Sequence, residues 1–90
     1  MEYSYPIDPD WSTEEIMQVI DFFQQVEEAY ESGTSSEKVQ STYKKFKQVV
    51  PSKSEEKTLF KEFEKKSGYV PYDVVKKANQ QEEGTIQLKK

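Results

Sequence analysis

The chain has no cysteine, no histidine and no arginine, and its 90 residues include only three glycines and four prolines. Each absence removes a class of chemistry. Without cysteine no disulfide framework can form, and without cysteine or histidine the usual zinc donor sets are missing. A Ser-His-Asp triad, a thiol nucleophile and a histidine general base are excluded on the same ground. Every side-chain cation is a lysine, so no bidentate guanidinium clamp on phosphate or carboxylate can be built. Gly33, Gly68 and Gly84 are isolated, which leaves no glycine-rich loop to cradle a phosphate. No apolar run approaches the roughly 20 residues of a membrane-spanning helix. The start, Met1-Glu2-Tyr3-Ser4-Tyr5, has neither the basic nor the apolar region of a signal peptide. The expectation is a cytoplasmic protein with no membrane association.

What is present is aromatic and charged. Five phenylalanines, six tyrosines and one tryptophan accompany a modest aliphatic content. An enclosed aromatic ring buries roughly 150–250 Å², so the aromatics are expected to supply most of a small core. One domain is all that 90 residues allow.

The pattern along the chain is helical. Pro6 and Pro9 keep the first eleven residues extended. Ser12 followed by Glu15 forms a capping-box signature, with Trp11 and Ile16 in the positions of a hydrophobic staple. A first helix is predicted over about 13–32, with Gly33 as its left-handed stop. Ile16, Val19, Ile20, Phe22, Phe23, Val26, Ala29 and Tyr30 spread over an arc of roughly 180°, wider than one neighbour needs. This helix is therefore expected to lie centrally.

A second helix is predicted over 37–50 on the seam Val39, Tyr43, Phe46 and Val50, and it ends at Pro51. A third runs over 53–66 behind Ser52 and Glu55, a second capping-box pair, and a short fourth over 71–79 behind Pro71. The predicted fold class is all-α: a small antiparallel bundle of three main helices plus a short fourth, with an extended aromatic N-terminal arm. Residues 1–79 form the single domain, and 80–90 are expected to be a flexible tail. Part of the long first helix needs cover beyond its two neighbours. Tyr3, Tyr5 and Trp11, the segment 69–79, or a second copy in a homodimer would provide it.

Several stretches, taken together and in order, carry a resemblance. They are Tyr5-Pro6-Ile7, Trp11-Ser12-Thr13-Glu14-Glu15, Val26-Glu27 with Tyr30-Glu31, Val49-Val50-Pro51-Ser52-Lys53, Glu55-Glu56-Lys57, and Phe63-Glu64 with Ser67-Gly68-Tyr69. Over residues 3–78 the chain resembles uncharacterised protein family 0223 of low-GC Gram-positive bacteria, while the tail from Gln80 carries no resemblance. The resemblance implies a small, all-helical, cytoplasmic bacterial protein, and it brings no catalytic residues with it.

Charge is unevenly distributed. Residues 1–37 hold ten acids and no lysine; residues 38–90 hold all 13 lysines and seven acids. Lys38, Lys44, Lys45 and Lys47 fan out on the side of the second helix away from its apolar seam. The plain reading is a solvated face on a helix attracted to the acidic first helix. The functional reading is a docking face for a polyanion or an acidic protein. Without arginine, and with a net charge of −4, nucleic-acid binding is disfavoured; it would be nonspecific and salt-dependent.

Glu27 falls inside the apolar arc between Ile16 and Ile20. A carboxylate there needs a partner, for which the Tyr43 hydroxyl or a lysine is proposed. A structural hydrogen bond is the expected role, and a general acid with raised pKa is the alternative. Tyr3, Tyr5, Trp11, Tyr69 and Tyr72 flank the helices, either as packing groups or as a surface patch for a partner. The glutamate clusters 27/28/31 and 55/56/62 lack metal-site spacing, so no metal and no cofactor are expected. The sequence thus reads as a non-catalytic protein-interaction or regulatory module, with a weak nucleic-acid-associated protein as the second reading.

Overall fold

In the computed structural model, which describes residues 4–81 and 83–89, four helices form a bundle closed at one end by a two-stranded ribbon. Helix α1 spans Thr13–Glu31. The capping box forms as expected: Glu15 N–H donates to Ser12 Oγ at 3.2 Å, and Ser12 N–H donates to Glu15 Oε1 at 2.8 Å. Together they satisfy two of the donors a helix start leaves without partners. At the other end, Gly33 takes φ 91° and its N–H reaches the Glu28 carbonyl at 2.6 Å. A Cβ there would also sit 3.1 Å from Thr85 Cγ2. Strand β1 (Thr34–Ser35) follows, then α2 (Ser36–Val49) capped by the Ser35 side chain, then α3 (Lys53–Ser67), which ends at Gly68 with φ 80°. The Ser52 half of the second capping box forms, with Glu55 N–H donating to Ser52 Oγ. Helix α4 (Pro71–Gln80) begins on its proline, and β2 (Thr85–Ile86) closes the chain against β1.

All five phenylalanines are in the core. Phe22 and Phe23 of α1 lie at its centre, with ring centroids 5.0 Å apart for Phe22–Phe46, 5.7 Å for Phe22–Phe60 and 4.6 Å for Phe23–Phe63. Val19, Val26 and Ala29 continue the same buried stripe. The central place expected for α1 follows from this: its wide apolar arc meets α2 along one side and α3 through stacked rings along another. Cover for the rest comes from the N-terminal arm. Tyr5 stacks on both Phe23 and Phe63, at 6.5 and 6.2 Å. Helix α4 rests chiefly against α2 rather than α1, burying Val74, Val75 and Ala78.

The tail departs from expectation. In place of a flexible segment from Gln80, Thr85 and Ile86 pair antiparallel with Ser35 and Thr34, and Ile86 is fully buried in the core. The cause is an accounting need at the end of α1, whose last carbonyls have no partner within the helix. Glu28 O is used by Ser32 and Gly33, and Ala29 O accepts from Leu88 N–H at 2.8 Å. The Ser36 hydroxyl, also buried, lies 3.1 Å from Ala78 O and within hydrogen-bonding reach of Gln81 O. It fastens the start of α2 to the end of α4. The packed unit therefore takes in Thr85, Ile86 and Leu88 rather than stopping at residue 79.

Candidate functional site

The lysines singled out on α2 do not act alike. Lys38, Lys44 and Lys45 are exposed. Lys47 is half-buried and forms an ion pair with Glu56 of α3, whose other oxygen accepts from the Tyr43 hydroxyl at 2.7 Å. Lys47 thus belongs to the joint between α2 and α3 and not to a free face. The wheel position that turned it outward took no account of α3 folding over the end of α2.

Tyr43 is therefore not the partner of Glu27. Its ring sits 5.5 Å from that of Phe22, and Glu27 lies five residues further along α1, about 7.5 Å up the helix axis. Glu27 instead accepts from the Tyr5 hydroxyl of the arm at 2.6 Å, and it lines neither cleft described below. Burial pushes the Tyr5 hydroxyl up to about 12, with the hydrogen bond and charge of Glu27 adding to the effect. Tyr43 is also raised, first by burial and then by its bond to Glu56.

The aromatic set divides as well. Tyr69 stacks on Tyr30 at 4.7 Å and donates to Glu31 at 2.8 Å, sealing the α3–α4 connection onto the end of α1. Tyr3 lies outside the described residues. Trp11 is half-buried and lines a cleft of about 380 Å³ between the arm and α3, where Asp8, Glu55 and Glu62 face Lys66. Tyr72 stands 61% exposed on α4.

Tyr72 marks one rim of a larger groove, about 680 Å³, between α3 and α4. Phe60 and Val75, both buried, form its apolar floor beside the ring of Tyr43. Along the other rim run Lys53, Lys57 and Lys61 of α3, one turn apart, exposed and without an ion-pair or hydrogen-bond partner among the described residues. Glu56 in the wall is neutralised by Lys47, while Glu64 stands at the far end. Lys57 and Lys61 were missed as candidates because acidic neighbours dilute them in the sequence. Their signal is the four-residue spacing from Lys53, which places all three on one helix edge. Among the described residues no group of three or more acids is placed to hold a metal ion, and no helix is long and apolar enough to cross a membrane.

Comparison of the sequence with known proteins shows its family. The family model described as "Uncharacterised protein family (UPF0223)" matches residues 2–87. The chain belongs to UPF0223. A UPF0223 protein of Bacillus pumilus is 58% identical over 86 residues, covering 96% of this chain and 97% of that one. One from Lysinibacillus sphaericus is 52% identical over 86 residues, covering 96% and 90%. The UPF0223 protein YktA of Bacillus subtilis is 50% identical over 88 residues, covering 98% and 100%. The family match takes in the segment after Gln80, so the resemblance does not stop at residue 78. That segment is the one holding Ile86 in the core.

Proposed function

We propose that this UPF0223 chain is a non-catalytic, cytosolic protein-binding module, and that its docking site is the groove between α3 and α4. One observation carries the reading: an apolar floor of Phe60 and Val75 bordered by exposed Tyr72 and by three exposed lysines without a partner among the described residues. Tyrosine flanking a desolvated floor is the composition of an interface hot spot, and rim charges steer and orient a partner. Tyr43 and Glu56 in the groove are bonded to each other and to Lys47, and the other lining carboxylate, Glu64, stands apart at the far end, which favours binding over catalysis. A chain free of cysteine is in keeping with a cytosolic setting.

The test is affinity capture from native bacterial cytosol, half of it nuclease-treated, comparing wild type with the Lys57→Glu/Lys61→Glu variant. Both side chains are exposed, so the variant should hold its stability to within about 0.5 kcal/mol. The expected result is a defined protein that survives nuclease and is lost from the variant. Equal capture by the variant would place docking elsewhere. Capture abolished by nuclease would favour the nucleic-acid reading.

A further inference from the structure

We infer that the groove between α3 and α4 takes an acidic amphipathic helix of a separate partner protein; this rests on the docking site proposed above. Charge supplies the first argument. Lys53, Lys57 and Lys61 form a row along α3 with steps of about 6 Å and no partner among the described residues. Of the two carboxylates in the lining, Glu56 is already compensated by Lys47, and Glu64 stands at the far end beyond the lysine row. Carboxylates repeating every three or four residues on a helix laid along α3 would meet that row turn for turn.

Backbone accounting supplies the second. The walls of the groove are helices α3 and α4, with Tyr43 of α2 beside the floor. They offer no strand edge, so an extended peptide would press unpaired N–H and C=O groups against the floor. A helix brings its own hydrogen bonds and needs only an apolar seam for Phe60 and Val75. From Lys53 to Glu64 the groove runs about 16 Å along α3, or some three turns.

A second copy of this chain does not supply such a helix. The acidic outward face of α1, Glu14, Asp21 and Glu28, carries Met17 as its single large exposed apolar group. One side chain does not make a seam.

A displayed library of 15-residue peptides biased to helix, with all side-chain types allowed at every position, tests this. It is selected against wild type, and binders are mapped by amide shift changes. The expected winners combine an apolar seam with Glu or Asp at three- and four-residue spacing. They should shift Lys57, Phe60, Tyr72 and Val75, and bind the Lys57→Glu/Lys61→Glu variant at least about tenfold more weakly. Their binding should also weaken with salt, as the Debye length falls from about 10 Å at 0.1 M to about 3 Å at 1 M. Winners that occupy the groove without an acidic row, or with a proline-rich extended sequence, overturn the acidic-helix inference but leave the groove a docking site. Winners that map elsewhere, or no winners at all, overturn both. Self-association by sedimentation that disappears in the same variant would make the occupant a second copy and overturn the separate partner.

Discussion

Tyrosine hydroxyls donating to glutamates on other elements fasten this fold at three places: Tyr5 to Glu27, Tyr43 to Glu56 and Tyr69 to Glu31. Each bond is charge-assisted, which makes it stronger than a neutral pair, and each keeps the phenol in its protonated form. The consequence is a loss of stability in alkali with a definite sign. Tyr5 releases its proton near 10.0 in the unfolded chain but at about 12 when folded. Its contribution is complete below pH 10 and disappears as pH rises through that interval, where the folded state holds the extra proton. Urea midpoints measured across this window should fall with pH for wild type. They should fall less steeply for Tyr5→Phe, and less again once Tyr43→Phe is added, since Tyr43 is shifted in the same direction. Equal slopes in all three proteins would mean these phenols do not report on folding. The same bonds mark the limit of what the sequence reveals at this scale. That Glu27 needs a partner is legible from its place in the apolar arc. That the partner is Tyr5 is not, because it depends on the path of an arm with no periodicity.

At the scale of elements, the helices were legible because local rules coincide: a cap before α1 and α3, a stop after α1 and α2, and an apolar period between; the Ser35 cap of α2 was not read from the sequence. The closing ribbon was not. Two paired residues carry no readable alternation, and the polar run Gln80-Gln81-Glu82-Glu83-Gly84 has the composition of a frayed end. The faint signal is Ile86 and Leu88, apolar at a spacing of two. Their role gives a prediction. Ile86 is fully buried, so Ile86→Ala should cost about 2–5 kcal/mol. That is a large share of the roughly 5–13 kcal/mol expected of 90 residues. Urea denaturation should show the midpoint dropping sharply. Hydrogen exchange should show Leu88, bonded to Ala29 O, protected in wild type and open in the variant. A tail that merely frays would leave the midpoint unchanged.

Over the whole molecule, the separation into an acidic first part and a basic remainder invites the idea that opposite charge holds α1 against α2. The geometry favours a different division of labour. Those helices meet through Phe22, Phe23 and Phe46, and the ion pair among the described residues joins two groups of the basic part, Lys47 and Glu56. Exposed lysines then serve solvation, while one lysine, Lys47, serves the fold. Charge reversal separates these roles within a single helix. Lys44→Glu with Lys45→Glu changes two exposed positions and should shift stability by no more than about 0.5 kcal/mol. Lys47→Glu sets a carboxylate against Glu56, whose side chain is 12% exposed, and should cost about 2–3 kcal/mol. Urea midpoints for the two variants, each measured at low and high salt, decide the matter. If long-range attraction between the parts sustained the bundle, the double reversal would be the more damaging and salt would weaken wild type. If the local joint matters, the single reversal is worse, and wild type holds its midpoint as salt rises because stacked rings are not screened.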